Sequence, residues 1–522
     1  MGIHINPNPV KFRMDRASKI YVDKSMLIDY LNSAACTAQR YICVSRPRRF
    51  GKTMATEMIA AYYCRTIDAN REFQGLKITQ AASFTEYANQ FDVIKLNMQE
   101  YLSGSRDISE MTRKIEEDIE DELFEMIPEA RKREDRKLSY YLENAYAATG
   151  RQFVFVVDEW DCIFREYPQD IEGQRKYLDF LRNLFKDKGY IALCYMTGIL
   201  PIKKYGSHSA LNMFTEFSME NPGRMAEFTG FTEEEVRKLC SEYHVDMDDC
   251  RQWYDGYSFT ACEHVYNPQS ICEALTSRIF DDYWNKTETY EALRAYIDMN
   301  FDGLKDCIVK MLAGDRQKIN TGSFQNDMTT FHSADDVLTL LIHLGYLGYD
   351  FETKEAFIPN KEISGEFVTA TTAQRQWDEV VNSVSGSEEL LRATWAGDEA
   401  KVAAAIEKAH LETSHLQYND ENALSYTISL AYYAARQYYT VIREFPSGNG
   451  FADMVFLPRK GYLDRPAMIV ELKWNQTAET AIRQIRNKNY PETLKEYKGN
   501  ILLVGISYDR SSRKHECKIL HI

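Results

Sequence analysis

Residues 40–53 of this 522-residue chain read Arg-Tyr-Ile-Cys-Val-Ser-Arg-Pro-Arg-Arg-Phe-Gly-Lys-Thr. A short apolar run, Tyr41–Ser45, feeds a tight basic loop, and a helical pattern (Met54 to Cys64) begins at once. Strand, loop and helix in this order is the context in which such a loop presents its backbone N–H groups to an anion. Together with the helix N-terminus those groups form an anion site that suits the phosphates of a nucleotide. Lys52 would then reach the β- and γ-phosphates, and Thr53 would offer its hydroxyl to Mg²⁺. Arg46 stands where the usual motif has its first glycine, which removes positive-φ freedom there. Arg46, Arg48 and Arg49 are placed to counter phosphate charge, with Pro47 stiffening the turn. A solvated basic loop is the other reading of the same residues.

The partner of that loop lies further on. Phe153–Val157 is an all-apolar strand that ends in Asp158-Glu159. Asp158 is expected to hold Mg²⁺, directly or through water, and Glu159 to orient and deprotonate an attacking water. The next apolar strand, Tyr190–Met196, ends at Thr197, where a polar contact to a γ-phosphate would sit. Phe91–Met98 reads as another strand. Ser109–Ala145 and Gly173–Lys188 have helical patterns. Continuous apolar strands separated by helices predict a parallel α/β sheet covered on both faces.

From Phe231 the pattern turns helical. Thr232-Glu233-Glu234-Glu235 predicts a helix start. Ala334–His343, followed by Leu344-Gly345-Tyr346-Leu347 and Phe357-Ile358-Pro359-Asn360, predicts a winged-helix segment near 290–365. That stretch is acidic, which favours packing against a neighbour over binding DNA. A helical segment at Leu390–His410 and a helix at Asn422–Arg436 lead to strands at Tyr439–Glu444, Ala452–Leu457, Ala467–Lys473 and Ile501–Ser507.

In that β-rich end, two strands joined by a turn carry Asp453 and the triplet Glu471-Leu472-Lys473. Strand side chains alternate, so Glu471 and Lys473 share one face while Leu472 points to the core. Two carboxylates and an ammonium on one patch suit a Mg²⁺-dependent phosphodiesterase. Glu421, opening the preceding helix, is a further candidate metal ligand, and Gln484 follows on a helix able to lie across the site. A salt-bridged surface hairpin is the alternative.

Composition sets limits. Formal charge is −15, which argues against general avidity for nucleic acid. Residues 441–522 nevertheless hold 14 Lys/Arg against 9 Asp/Glu, a locally basic end on an acidic body. There is no apolar run near 18 residues, and no secretion signal at the start, so a cytoplasmic protein without a membrane segment is expected. The eleven cysteines show no CxxC pairing and read as reduced thiols.

These residues carry a resemblance. Tyr21-Val22-Asp23-Lys24-Ser25, Arg46 to Thr53, Val157 to Asp161, Thr197-Gly198, Gly230-Phe231-Thr232, Trp253 to Tyr257 and Tyr266-Asn267-Pro268 form one set. Glu421-Asn422, Asp453, Glu471 to Lys473 and Gln484 to Tyr490 form the other. Together they resemble the bacterial AAA-ATPase-like proteins that end in a PD-(D/E)XK nuclease-like domain. In that family Arg is usual at the position of Arg46, and Trp160 stands where Tyr is frequent. The resemblance implies an AAA-like P-loop domain (1–230), a helical and winged-helix extension (231–380), and a helical linker with a restriction-endonuclease-like α/β domain (381–522). It places Tyr21, Asp23 and Lys24 near the nucleotide, with a latch on the sheet as the equal alternative. Trp253, Tyr257 and Tyr266 with Asn267-Pro268 read as a packing corner. The implied cofactors are ATP and Mg²⁺, and the implied partner is nucleic acid at the C-terminal domain. The implied activity is an ATP-controlled nuclease, in a bacterial defence role that the architecture suggests. A homo-oligomer is compatible with this reading. The alternative is a signalling or interaction NTPase whose nuclease fold is a binding platform.

Overall fold

The computed structural model describes residues 2–522 except 132, 134, 206, 207, 210, 285–289, 300, 373–376, 378–383, 413–420, 448, 449, 488–493 and 495–499. The chain divides into two compact units. The first holds residues 1–289, 299–304 and 318–364, and the second 290–298, 305–317 and 365–522. Residues 231–289 therefore cluster with the N-terminal sheet. The segment expected as one winged-helix piece is divided between the units.

The first unit is built on five parallel strands: β1 (Tyr41–Ser45), β2 (Asp92–Asn97), β3 (Phe153–Asp158), β4 (Ile191–Gly198) and β5 (Thr215–Phe217). Their order across the sheet is β2-β3-β4-β1-β5. β1, β3 and β4 are buried along their whole length, the reason they lack polar alternation. Helix α1 (Val10–Arg16) packs on α2 (Lys52–Tyr63), which buries Ala55, Met58, Ile59, Tyr62 and Tyr63. The expected long helix over 109–145 is broken into Ile108–Met126 and Leu138–Thr149. Pro128 lies between them, where it has no N–H to continue the first helix.

Helix α3 (Glu233–Tyr243) begins as expected. The Thr232 hydroxyl accepts from the Glu235 N–H, and the Glu235 carboxylate accepts from the Thr232 N–H at 2.8 Å. A short turn leads into α4 (Met247–Tyr254), and Asn267 caps α5 (Pro268–Ser277). Helix α6 (Ala334–Leu344) is followed by an antiparallel wing, Gly348–Asp350 with Glu355–Phe357.

These later elements press on the basic loop from behind. Gly345 ends α6 with φ +90°, and a Cβ there would lie 2.8 Å from the Pro47 ring and 2.8 Å from the Trp284 ring. Only glycine satisfies both constraints. Tyr257 donates its hydroxyl to the Gly345 carbonyl at 2.6 Å and meets the Phe50 ring edge-on at 5.3 Å between centroids. The Phe50 carbonyl accepts from the Gly230 N–H at 3.1 Å.

The second unit carries helices α7 (Ser387–Trp395), α8 (Glu399–Glu412) and α9 (Glu421–Ala431) before a mixed sheet. The sheet runs β6 (Tyr439–Ser447), β7 (Gly450–Pro458), β8 (Ala467–Trp474), β9 (Ile501–Asp509) and β10 (Lys514–His521) in spatial order. β8 and β9 are parallel, with helix α10 (Ala478–Asn487) in their crossover; the other neighbours are antiparallel. Leu472, Val470 and Met468 face one core with Leu391, Ile406 and Leu424. Ile469 and Ala467 face another with Ile482 and Ile485 of α10. The helix expected over 390–410 is two, because Gly397 adopts φ +69° between them. β10 was not anticipated, since half-buried Lys-His-Glu-Cys-Lys lacks an apolar run.

Tyr257→Phe removes a buried donor and leaves the Gly345 carbonyl unsatisfied. It is expected to lower the stability of the first unit by about 1–3 kcal/mol, seen as an earlier urea midpoint for its unfolding transition.

Candidate functional site

β1, β3 and β4 run parallel and in register, Val44 beside Thr197 and Val157 beside Met196. Their C-terminal ends therefore bring the basic loop, Asp158-Glu159 and Thr197 to one sheet edge, the place where parallel α/β sheets bind ligands. A cavity of about 700 Å³ opens there. Arg48 through Thr53 and Glu159 line one side of it. The other side is largely apolar and includes Tyr21, Met58, Phe228, Phe231 and Pro268.

Gly51 sits at φ +81° as the residue before α2, so the turn requires glycine. Arg49 also takes positive φ, at +67°, whereas Arg46 does not. Lys52 folds back on the loop and donates to the carbonyls of Pro47 at 2.8 Å and Arg46 at 3.0 Å. Burial pulls its ammonium below the usual range, opposed by Glu159, Asp158 and Asp161. The Asp158 carboxylate accepts from the Glu159 N–H at 3.0 Å and lies beside the Thr53 hydroxyl. Burial pushes Asp158 up, and the Thr53 and Lys52 contacts oppose it. Burial likewise raises Glu159, with Lys52 opposing. The Thr53 hydroxyl beside the Asp158 carboxylate is a set of hard oxygen donors, the chemistry that Mg²⁺ takes.

Two expected contacts are placed differently. Arg46 is fully buried and does not line the cavity. Its guanidinium donates to the Thr229 hydroxyl at 2.8 Å, the Ser45 carbonyl at 2.7 Å and the Phe217 carbonyl at 2.9 Å. It ties β1, β5 and the turn before Gly230 together instead of countering phosphate charge. Thr197 is also fully buried, and its hydroxyl donates to the Val44 carbonyl at 2.8 Å. Tyr21 and Lys24 line the cavity, while Asp23 accepts from the N–H groups of Ser25 and Lys77 as a latch.

Other residues at the site were not read from sequence. Arg165 pairs with both Glu159 and Asp161, and Asp161 in turn accepts from the N–H groups of Ile199 and Leu200. The Asp161–Arg165 spacing of four on a helical pattern was its only signal. Pro268, Gln269 and Cys272 bring the first turns of α5 onto the cavity. The Asn267-Pro268 pair marks a helix start, but nothing in it tells where the helix points.

In the second unit, the antiparallel register sets Met454 opposite Val470, which runs Asp453 toward Glu471. Asp453 accepts from the Leu472 N–H at 2.6 Å. Glu471 is 1% exposed; its Oε1 accepts from Lys473 Nζ at 3.3 Å and from the Gln484 side chain. Lys473 also donates to the Leu472 carbonyl at 2.8 Å. Asp453, Glu471, Lys473 and Gln484 are thus gathered on the face that α10 covers. Glu421 opens α9, and its side chain lies outside the described residues. Two carboxylates of this kind fit a hard divalent cation.

Two stretches of the chain match known families. Residues 11–207 match the family described as Predicted AAA-ATPase, and residues 421–518 match the PD-(D/E)XK nuclease superfamily. The "Uncharacterized protein in vnfD 5'region" of Azotobacter chroococcum mcd 1 is 28% identical over 257 residues, 47% of each chain. The match spans about half the length of that relative. Among solved structures, C. elegans PCH-2 aligns at 11% identity and TM-score 0.22, covering 48% of this chain and 55% of that one. Cdc6p from Pyrobaculum aerophilum aligns at 9% identity and TM-score 0.24, covering 66% and 90%. Those two scores are too low to bear on the fold. The chain carries an N-terminal AAA-ATPase-like domain and a C-terminal PD-(D/E)XK nuclease-superfamily domain.

Arg46→Ala removes the donor to the Thr229 hydroxyl and to the Ser45 and Phe217 carbonyls. It is expected to cost about 2–4 kcal/mol, measured by chemical denaturation.

Proposed function

We propose that the first unit binds and hydrolyses ATP with Mg²⁺, and that the second is a Mg²⁺-dependent phosphodiesterase on DNA or RNA controlled by the nucleotide. The gathering of Lys52, Thr53 and Glu159 on one cavity, with Asp158 beside Thr53, carries this reading. Lys52 exchanges the Arg46 and Pro47 carbonyls for β- and γ-phosphate oxygens. Thr53 and Asp158 hold the cation. Glu159 takes the proton of the attacking water. The apolar side of the cavity, with Tyr21 and Phe231, takes the base.

At the second site Asp453 and Glu471 hold the metal, with Glu421 as a further ligand. When bound, the cation polarises the phosphate and acidifies water. Lys473 leaves Glu471 to position the nucleophile or to stabilise the developing charge on phosphorus. Defence against foreign nucleic acid in the cytoplasm is the role this architecture suits. A second reading, a binding platform without turnover, draws on the near-complete burial of Glu471 beneath Lys473 and Gln484 and on the net charge of −15.

Purified protein with Mg²⁺ or Mn²⁺, with and without ATP, is to be tested on single- and double-stranded DNA and RNA. Lys52→Ala and Glu159→Gln are expected to lower phosphate release by about 10²-fold or more. Glu471→Ala is expected to lower strand cleavage by a comparable factor while phosphate release persists. Cleavage that is absent throughout, or indifferent to Glu471→Ala, sinks the nuclease half; phosphate release unaffected by Lys52→Ala sinks the ATPase half.

A further inference from the structure

One side of the nucleotide cavity rests on a separate apolar core, formed by α3, α4 and α5 with Phe231 and Tyr266. Ile20 and Val22 pack against that core and, like Phe231, line the cavity. Two cysteines lie inside it. Cys240 on α3 is 3% exposed, Cys250 on α4 is 0% exposed, and their sulfur atoms are 3.3 Å apart in a thiol–thiol hydrogen bond. The helices are joined by a turn in which His244 takes φ +57° and Asp246 caps α4, accepting from the Asp248 N–H at 2.7 Å. All eleven cysteines are free thiols in this structure.

We propose that Cys240 and Cys250 are a redox dithiol that closes to a disulfide and staples the α3–α4 hairpin behind the cavity wall. A disulfide needs its sulfur atoms at about 2.05 Å, so closure asks for a shift of about 1.3 Å. The two sulfur atoms are already in contact. Burial directs each thiol to the other and away from further protein partners. Either thiol can attack first, with the other resolving.

The oxidant is a small hydroperoxide, hydrogen peroxide being little larger than water. One sulfur of the pair attacks a peroxide oxygen, the O–O bond breaks, and the leaving hydroxide takes the thiol proton as water. The second sulfur then attacks the sulfur of the resulting sulfenic acid. The S–S bond forms, the S–O bond breaks, and hydroxide leaves with the second thiol's proton as another water. Two thiols are oxidised and one peroxide is reduced. The bridge limits the unfolded chain and fixes one helix to the other, so it stabilises this core. The inference stands on the sulfur geometry and holds whatever the cavity binds.

The test treats the folded full-length protein with hydrogen peroxide, blocks remaining thiols with N-ethylmaleimide, and maps peptides without reduction. The expected product links the peptides containing Cys240 and Cys250, is lighter by two hydrogens, and reverts with dithiothreitol. Its thermal midpoint exceeds that of the reduced protein, and the increment is missing in Cys240→Ala and Cys250→Ala. The mass measurement needs no variant. Alkylation of both cysteines under conditions that oxidise exposed Cys36 would overturn the proposal. So would a link to another cysteine, or a bridge that lowers the midpoint.

Discussion

The buried guanidinium of Arg46 is the contact on which the first unit depends. It lies directly after β1, at the start of the basic loop. Taking a cation from water into a protein core costs several kcal/mol unless its donors are used. Arg46 uses Nε and Nη1 on Thr229, Ser45 and Phe217, leaves Nη2 buried without a hydrogen-bond partner among the described residues, and lies 5.6 Å from the centre of the Phe259 ring. Burial lowers its pKa only to about 10, so it stays charged at neutral pH. Its own carbonyl, together with that of Pro47, is what Lys52 holds. The loop is therefore fixed from inside by one cation while a second rests at its mouth.

The same loop is held from outside by later sequence. Pro47 meets Gly345, Phe50 meets Tyr257, and the Phe50 carbonyl takes the Gly230 N–H. Gly230, Tyr257 and the end of α6 are thus part of the loop's support. The second unit solves a related problem with opposite charge. There the sensitive group is the Glu471 carboxylate, kept in a nearly dry place by an ammonium and an amide.

Much of this was legible in the chain because it depends on local pattern. The apolar strands, the Gly51-Lys52-Thr53 turn, the acids closing β3 and the Glu471-Leu472-Lys473 alternation each declare their faces within a few residues. What was not legible depends on distant partners. Arg46 belongs to a run of three loop arginines, and nothing local distinguishes the one that turns inward to Thr229, 183 residues away. Thr197 closes its strand as expected, yet its hydroxyl is taken by Val44 across the sheet. The wall made by Phe228, Phe231 and Pro268 needed the fold before it could be recognised as a wall. The Cys240–Cys250 contact likewise needed the turn at His244, which no spacing rule announces.

The central claim is that one cavity takes the phosphates at Gly51–Thr53 and the base against the wall from residues 228–231 and 268–272. Amide hydrogen exchange of the full-length protein, with and without ATP and Mg²⁺, tests this most directly. The account predicts slowed exchange in the basic loop and in both wall segments, and no change for Lys52→Ala. Protection that leaves the loop and the wall untouched, or that survives in Lys52→Ala, would contradict it.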